Sequence, residues 1–133
     1  MENRFKNWEY PEIEEGKLTK YNWMVQNKQG LELGKYTDIG AFSYINAKNK
    51  VVIEDNVQIG AGVKIYSVDT IGNKKGRIIL KKNCKIGANS VILPNTIVGE
   101  NSIIGACSVI RYGANIPANE IWVGVPAKKL REL

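Results

Sequence analysis

Aliphatic residues recur at every sixth position over most of this chain. The run begins at Leu33 and ends at Ile116, with two interruptions. Its members are Leu33, Ile39, Ile45, Ile53, Ile59, Ile65, Ile71, Leu80, Ile86, Ile92, Val98, Ile104, Ile110 and Ile116. A fixed period of this length indicates a repeat architecture and takes precedence over local propensity. The hexapeptide is therefore the structural unit of the chain.

Two further positions of the hexapeptide are restricted. A small or β-branched residue follows most aliphatic positions after four residues, as at Thr37, Ser43, Val57, Val63, Cys84, Ser90, Thr96, Ser102, Ser108 and Ala114. Glycine often follows the aliphatic residue directly, as at Gly34, Gly40, Gly60, Gly87, Gly99 and Gly105. Small side chains fit inside tight corners, and glycine relieves backbone crowding there. The pattern predicts one short strand and one corner per hexapeptide, with the aliphatic side chains pointing inward.

Three such hexapeptides close one triangular turn, and the turns stabilise one another by stacking because no single turn buries its apolar face. The predicted fold class is all-β: a single-stranded left-handed parallel β-helix of about four turns, in one domain that covers residues 1–133. We expect an N-terminal cap at 1–32, hexapeptide coils at 33–116 with a protruding loop at 72–79, and a short C-terminal tail at 117–133.

Two breaks in the period and an aromatic N-terminal segment complete this architecture. The spacing widens at Asn49–Val52, which indicates a bulge at a corner. It widens again between Ile71 and Leu80, where glycines and cations predict the surface loop. Aromatic side chains within residues 5–25 are large enough to close the end of the prism, an interpretation favoured over a substrate pocket. These residues are Trp8, Tyr10, Tyr21 and Trp23.

Composition and charge limit the classes of partner that we expect for this chain. The chain has 44% hydrophobic and 24% charged residues, no apolar run of the roughly 18 residues that span a bilayer, and a polar N-terminus unlike a secretory signal. We therefore expect a cytoplasmic protein with no membrane partner. A formal charge of +6 favours anionic partners. The cations cluster at Lys74, Lys75 and Arg77 and at Lys128, Lys129 and Arg131. Because no aromatic residues interleave with them, a phosphorylated small molecule is favoured over nucleic acid.

Cysteine and histidine usage limits the chemistry. Cys84 and Cys107 lack the CxxC spacing of a metal or redox pair, and we interpret both as buried free thiols. The chain contains no histidine, which is the commonest general base at neutral pH. A zinc site built from three histidines is therefore impossible, and we expect no metal cofactor.

Two stretches of the chain resemble a known family. Residues 76–99, from Gly-Arg-Ile-Ile-Leu to Thr-Ile-Val-Gly, resemble the core segment of hexapeptide-repeat acyltransferases. Residues 116–128 resemble the closing signature of that family, P-x-N-x-x-x-x-G-x-P-A-K. The resemblance implies a homotrimer with active sites at the subunit interfaces. It also implies that acetyl-CoA or another acyl-CoA is the co-substrate and that a sugar hydroxyl or an amine is acylated.

The resemblance also implies a set of cofactor-binding residues. By position, the pantetheine arm would lie against Ala88, Ala106 and Ser108. The 3′-phosphate of CoA would be met by basic residues near the C-terminus, for which Arg111, Lys128 and Lys129 are candidates. Pro126 and Ala127 would border the adenine. The alternative for each cation is a solvated surface charge.

The histidine that sugar acetyltransferases of this class usually carry is missing from the matching stretches. Asp69 is the best remaining acid or base, since it occupies a predicted interior corner, and the alternative is a carboxylate bonded to the turn of the loop. Asn89 is a candidate donor to the thioester oxygen, although asparagine also suits a tight corner. The candidate substrate-binding residues are Tyr66 and Ser67 for the sugar, and Lys74 and Lys75 for a substrate diphosphate.

The missing base favours one acceptor class. A hydroxyl needs a general base, whereas the free-base form of an amine attacks a thioester directly once it is positioned. The leading hypothesis is therefore an acetyl-CoA-dependent N-acetyltransferase for an amino sugar, possibly nucleotide-linked, in surface glycan synthesis. The alternatives are a sugar O-acetyltransferase and a non-catalytic β-helix that serves as a scaffold or assembly subunit.

Overall fold

The structure, a computed structural model, describes residues 6–133. Its regular elements are short strands and a single 3-10 turn at Lys28–Gly30. The strands in chain order are β1 (Met24–Gln26), β2 (Leu31–Leu33), β3 (Asp38–Ile39), β4 (Tyr44–Asn46), β5 (Val51–Ile53), β6 (Gln58–Ile59), β7 (Lys64–Tyr66), β8 (Val68–Asp69), β9 (Lys74–Lys75), β10 (Ile78–Leu80), β11 (Lys85–Ile86), β12 (Val91–Ile92), β13 (Thr96–Val98), β14 (Ile103–Ile104), β15 (Val109–Ile110), β16 (Asn115–Ile116), β17 (Glu120–Gly124) and β18 (Ala127–Glu132).

The strands form three parallel sheets that are the three faces of a left-handed coil. Face A contains β1, β4, β7, β12 and β15, face B contains β2, β5, β10, β13 and β16, and face C contains β3, β6, β11, β14 and β17. Each turn contributes one strand to every face, so Ile65 of β7 lies between Ile45 of β4 and Ile92 of β12. The predicted fold is confirmed. The coil has about five turns, because it begins at Met24 inside the predicted cap.

The core is a column of aliphatic side chains that point into the prism. Every aliphatic residue of the six-residue period from Ile39 onward is buried except Ile71, which is 98% exposed. The prediction that Ile71 lies in the core is therefore wrong. Ile78 and Leu80 fill this level of the core instead, because β10 pairs directly with β5. The chain between Tyr66 and Ile78 leaves the coil.

This excursion is an antiparallel hairpin of β8 and β9, which we call the hairpin. Val68 is opposite Lys75 and Asp69 is opposite Lys74. Its base is closed by the Gly76 amide, which donates to the Ser67 carbonyl over 3.0 Å. The predicted loop at 72–79 is thus displaced: the excursion begins at the start of β8, and residues 78–80 belong to the coil.

Small polar residues at the corners join successive turns. The hydroxyls of Ser43, Ser90 and Ser102 donate to the carbonyls of Gly60, Gly105 and Pro117, at distances of 3.0, 3.0 and 2.6 Å. The predicted need for small side chains is confirmed, and these hydrogen bonds give it a second reason. Each satisfies a buried hydroxyl with a carbonyl of the neighbouring turn, which avoids the cost of an unpaired buried group.

The two cysteines occupy different corner positions. Cys84 is buried, as predicted, and burial raises its pKa to about 12. Cys107 is exposed, so the prediction of a second buried thiol is wrong. It comes three residues after the aliphatic position and has φ +58°, the left-handed conformation that Asn89 adopts at the same corner one turn earlier. Ser108 takes the buried place instead.

Both ends of the coil are covered. Trp23 is 2% exposed and packs on the first turn, while the Trp8 indole donates to the Thr37 carbonyl over 2.8 Å. Tyr10 and Tyr21 are more than half exposed, so the closing role predicted for the aromatic group falls mainly to the tryptophans. Phe5 lies outside the described residues. At the C-terminal end the predicted tail is a hairpin, in which β18 pairs antiparallel with β17.

Candidate functional site

The corner where face C passes into face A carries a Gly-Ala pair in four consecutive turns. We call this edge the alanine corner; it comprises Ala41, Ala61, Ala88 and Ala106. The glycines are required by the close approach of the turns. A Cβ added at Gly40 would lie 2.4 Å from the Ala61 nitrogen, and one added at Gly87 would lie 2.4 Å from the Ala106 nitrogen. The corner is therefore smooth and straight, with Ala88 half-buried and Ala106 exposed.

The closing signature lies at the foot of the alanine corner. The Gly124 amide donates to the Ser108 hydroxyl over 3.1 Å, which holds the turn between β17 and β18 beneath Ala106. Lys128 lies opposite Val123 of β17, and Val123 lies close to Gly105, the residue before Ala106, so Lys128 is at the same end of the coil as Ala106. Ser108 is fully buried, so its side chain does not line a groove, and that part of the prediction is wrong.

The remaining residues predicted to bind the cofactor differ in accessibility. Ala127 is 7% exposed and packs into the C-terminal hairpin. Lys129 forms ion pairs of 3.3 Å with both Glu120 and Glu132, and these hydrogen bonds raise its pKa. Lys128 is exposed and forms no ion pair with any residue from 6 onward. Its charge is thus open to a phosphate, unlike that of Lys129.

Arg111 lies away from this group. It follows β15 at the opposite edge of face A, in the corner that leads to β16. Its exposed side chain therefore projects from the edge that carries the hairpin, rather than from the alanine corner. The structure separates Arg111 from Lys128, so these two candidates for the 3′-phosphate lie at different edges of a single chain.

A cleft of about 450 Å³ lies at that opposite edge of face A, between the sheet and the hairpin. We call it the tyrosine cleft, and it is lined by Tyr44, Asn46, Tyr66, Val68, Asp69, Thr70, Ile71 and Leu93. The rings of Tyr44 and Tyr66 are 5.7 Å apart and tilted by 51°. Burial, the neighbouring Tyr44 and the Asp69 carboxylate raise the pKa of Tyr66, so its phenol stays protonated at neutral pH.

The hydroxyl of Tyr44 is held in a polar network on face A. It donates to Gln26 and lies 3.4 Å from the Asn46 amide nitrogen. The side-chain carbonyl oxygen of Asn46 in turn accepts a hydrogen bond from the Asn27 side-chain amide over 3.0 Å. Because each polar group has a partner, the wall of the cleft is a rigid aromatic surface with an oriented amide beside it.

Asp69 lies in β8 of the hairpin and not at an interior corner, so the predicted location is wrong. Its carboxylate accepts the Ile71 amide over 3.1 Å, which is the alternative anticipated for this residue. The side chain is half-buried and lines the tyrosine cleft. Its carboxylate therefore both stabilises the hairpin turn and presents negative charge to the cleft.

Ser67 is the other predicted residue that the structure corrects. Its side chain is fully buried, where the hydroxyl donates to the Asn46 carbonyl over 2.6 Å and accepts the Asn49 amide over 2.9 Å. It cannot contact a sugar, because it belongs to the class of corner serines that join turns. Lys74 and Lys75 are exposed on β9, and the Lys74 ammonium lies 5.1 Å from the centre of the Tyr112 ring.

Face A joins the alanine corner to the tyrosine cleft through residues that sequence reasoning missed. Tyr44 and Lys64 are adjacent outward-facing residues of β4 and β7. The Lys64 ammonium donates to the Gly62 carbonyl over 2.7 Å. The usable signal was the alternation within each hexapeptide, since the residues on either side of each buried aliphatic residue point outward. Asn89 lies on the alanine corner with φ +60°.

Other parts of the molecule carry less chemistry. Another cavity, of about 590 Å³, lies between residues 6–11 and the first turn and is lined by cap residues such as Trp8 and Trp23. It contains none of the predicted site residues. From residue 6 onward, no cluster of three or more cysteine, aspartate or glutamate residues could hold a metal ion. The same part of the chain contains no helix long and apolar enough to cross a membrane.

Comparison with known proteins agrees with this geometry. The bacterial transferase hexapeptide family model, of six repeats, matches residues 77–112. The chain is 32% identical over 119 residues to dTDP-4-amino-4,6-dideoxy-D-glucose acyltransferase of Escherichia coli, which covers 77% of this chain and 61% of that protein. It is also 31% identical over 115 residues to galactoside O-acetyltransferase of Escherichia coli, covering 75% of this chain and 56% of that protein. The chain thus spans about three fifths of the length of these relatives.

A solved structure gives a further comparison. An N-acyltransferase variant from Bacillus cereus, in complex with dTDP-4-amino-4,6-dideoxyglucose and coenzyme A, is similar with a TM-score of 0.59 at 28% identity, over 84% of this chain and 70% of that one. Taken with the hexapeptide repeats and the closing signature at the foot of the alanine corner, these similarities confirm the resemblance of the chain to hexapeptide-repeat acyltransferases.

Proposed function

We propose that this protein is an acetyl-CoA-dependent N-acetyltransferase that acts on an amino sugar in nucleotide-linked form, in surface glycan synthesis. The observation that carries the proposal is the tyrosine cleft, in which Asp69 and two tyrosines face the same edge of face A. A carboxylate suits an ammonium group, and aromatic rings suit the apolar face of a sugar. The chain offers no histidine to activate a hydroxyl.

The co-substrate is assigned to the alanine corner. Pantetheine would run along Ala106 and Ala88, with the adenine near Pro126 and the 3′-phosphate near Lys128. The lack of an ion pair at Lys128 supports this orientation, because its charge is available to an anion. The Bacillus cereus relative, which was solved with both coenzyme A and an amino sugar nucleotide, supports the same pair of substrates.

The two substrates would meet over face A. The alanine corner and the tyrosine cleft lie at the two ends of β7, which is three residues long. The two sites are therefore separated by a distance on the order of 10 Å. The thioester at the end of pantetheine and the amine of a sugar bound in the cleft can therefore approach each other without a large movement of the chain. Holding two reactants in this way is itself a major part of catalysis.

The chemistry then needs few groups. Asp69 binds the ammonium form of the acceptor and accepts the proton that produces the free amine. The nitrogen lone pair attacks the thioester carbonyl, a carbon–nitrogen bond forms, and the carbon–sulfur bond breaks as the CoA thiolate leaves. The second proton lost from nitrogen passes to solvent or to the thiolate. Asn89, at the corner, donates a hydrogen bond to the carbonyl oxygen as its negative charge develops.

A homotrimer is part of the proposal. Ile71 at the tip of the hairpin is 98% exposed, and Val125 in the closing turn is 71% exposed. Exposed aliphatic side chains on protruding turns are typical of surfaces that another subunit covers. A neighbouring copy would also narrow the groove beside the alanine corner, which is open on its outer side in the single chain.

Thermal unfolding with and without acetyl-CoA tests the co-substrate. Because a ligand that binds only the native state stabilises it, the unfolding midpoint should rise by several degrees at saturating acetyl-CoA. Lys128→Ala should reduce this shift, whereas the control Lys82→Ala, a cation at a different corner, should leave it unchanged. Absence of any shift in the unmodified protein would overturn the enzyme proposal and favour a scaffold.

An acceptor panel separates the two transfer reactions. Amino sugar nucleotides should be acetylated, and the matched compounds with a hydroxyl in place of the amine should react at least about a hundredfold more slowly, since the chain has no histidine to deprotonate a hydroxyl. Asp69→Asn should reduce turnover at least tenfold. Preference for the hydroxyl compounds would instead support O-acetylation, the activity that the name of the galactoside relative describes.

A further inference from the structure

Lys64 occupies the middle of face A between the two proposed substrate sites. It is the first residue of β7, and Tyr66 of the tyrosine cleft is the last residue of the same strand. Gly62, two residues before Lys64, directly follows Ala61 of the alanine corner. Its nearest neighbours across the sheet are Tyr44 on one side and Val91 on the other. A cation at this place therefore has no anionic neighbour in its row.

The Lys64 ammonium is held by one hydrogen bond and has N–H donors left for other acceptors. It donates one hydrogen bond, of 2.7 Å, to the Gly62 carbonyl. An ammonium has three N–H donors, so two remain for other acceptors. Lys64 is half-buried and forms no ion pair with any residue between 6 and 133. Because no carboxylate neutralises this ammonium, its charge is available to an anion on face A.

The same corner brings the Asn89 amide next to Lys64. Gly62 has φ +69°, and a Cβ added there would lie 2.3 Å from the Asn89 side-chain oxygen and 3.8 Å from the Lys64 ammonium. The equivalent positions of the neighbouring turns carry Phe42 and Asn89 itself, both also in the left-handed conformation. Of these three positions, the one without a side chain is Gly62, where a Cβ would collide with the Asn89 side-chain oxygen. The absence of this side chain leaves the Lys64 ammonium and the Asn89 side-chain amide close together at the corner, with the Asn89 oxygen nearest to Gly62.

We propose that Lys64 is a catalytic residue that, with Asn89, stabilises the oxyanion formed during acyl transfer; the proposal rests on the proposed function. When the amine attacks, the electron pair of the thioester carbonyl moves to oxygen, and the Lys64 ammonium donates a hydrogen bond to this negative oxygen. The carbonyl reforms as the carbon–sulfur bond breaks and the thiolate leaves. Lys64 keeps its proton throughout. Donors placed where charge develops are worth about 10² to 10³ in turnover.

Substitution of Lys64 by methionine tests this role. Methionine keeps the length of the side chain and removes the charge and the donors. Lys64→Met should lower kcat about a hundredfold or more with amino sugar acceptors, while the KM for both substrates and the midpoint shift with acetyl-CoA change less than about threefold. Lys64→Arg, which retains a cation and N–H donors, should recover part of the lost kcat.

The matched control is Lys85→Met. Lys85 is also a half-buried, outward-facing lysine at the start of a coil strand, but it lies on face C between Gln58 and Ile103. It should keep the kcat of the unmodified protein. Unfolding midpoints of both variants without ligand show whether the fold is retained.

The outcomes separate this inference from the proposed function. Unchanged kcat in Lys64→Met overturns the role of Lys64 alone, as does a loss confined to KM or to acetyl-CoA binding, because a binding role predicts that pattern. Equal losses in Lys64→Met and Lys64→Arg with lowered unfolding midpoints indicate a structural role and also overturn it. No midpoint shift with acetyl-CoA in the unmodified protein overturns the proposed function itself.

Discussion

At the scale of single residues, corner conformation explains most of the unusual positions in the sequence. Nine of the thirteen non-glycine residues described with positive φ are asparagines. Asparagine is tolerated in the left-handed conformation at lower cost than most residues. Asn83, Asn101 and Asn119 also form a ladder through side-chain hydrogen bonds of 2.8 and 2.9 Å. Asn89 therefore needs no catalytic role to account for its presence, and its contact with Gly62 is what distinguishes it.

The glycines of the alanine corner allow a prediction about stability. In Gly87→Ala the new Cβ would lie 2.4 Å from the Ala106 nitrogen, a contact with backbone that cannot move alone. We expect the free energy of unfolding to fall by about 2 kcal/mol or more, measured by denaturant unfolding. The control is Gly113→Ala, where φ is +76° but nothing lies within 4 Å, and where the cost should stay near 1 kcal/mol. Equal losses would show that crowding is not the constraint.

At the scale of elements, the hairpin is an addition to the coil and not part of its support. Both strands that flank it, β7 and β10, pair with neighbours in the coil, and its base is closed by the bond between Gly76 and Ser67. The hairpin contacts the rest of the molecule through the Lys74 ammonium on the Tyr112 ring. Its contribution is therefore to form one wall of the tyrosine cleft.

Removal of the hairpin should separate function from stability. If residues 68–75 are replaced by an Asn-Gly link, the coil should unfold within a few degrees of the original midpoint, because the joined ends are already in hydrogen-bond contact. The midpoint shift with acetyl-CoA should persist, and acceptor turnover should fall at least tenfold with the loss of Asp69. Full transfer activity in this variant would exclude the tyrosine cleft as the acceptor site.

At the scale of the whole molecule, the single coil leaves its proposed groove open on one side. The alanine corner is an outer edge of the prism, on which Ala61 and Ala106 are exposed. Closed symmetric assembly is the usual way in which such a surface gains a second wall. The hairpin and the closing turn, which carry exposed Ile71 and Val125, project from the edges that a neighbouring copy would meet.

The expected assembly has a measurable mass. Light scattering coupled to size exclusion should give three times the chain mass of 14.8 kDa at micromolar concentration. Ile71→Asp should shift the distribution toward smaller species, because a carboxylate at a covered apolar contact is costly to desolvate. The control is Lys82→Asp, at an exposed position on the corner between faces B and C, away from the edge that carries the hairpin. A single-chain mass at all concentrations would contradict the trimer.

The fold was readable from the sequence because its period is local. One strand and one corner use six residues, and an inward side chain must be apolar wherever the turns stack, so Ile45, Ile65 and Ile92 reveal the coil without knowledge of any contact. Ile71 continued that period but lies in the hairpin. The choice between Ile71 and Ile78 depends on which of them pairs with β5 across the turn, and no local pattern decides that.

The site was only partly readable. Tyr66 and Asp69, named from sequence positions, both line the tyrosine cleft, although Asp69 lies in the hairpin and not at an interior corner. Ser67 and Ser108 were misassigned because the hydrogen bonds that bury them come from a neighbouring turn. The sequence by itself determined the repeat, the inward residues and the absence of an imidazole base. Only the tertiary structure decided which outward residues meet. The stacking register places residues 18 to 27 positions apart side by side, and the length of the hairpin sets where that register resumes.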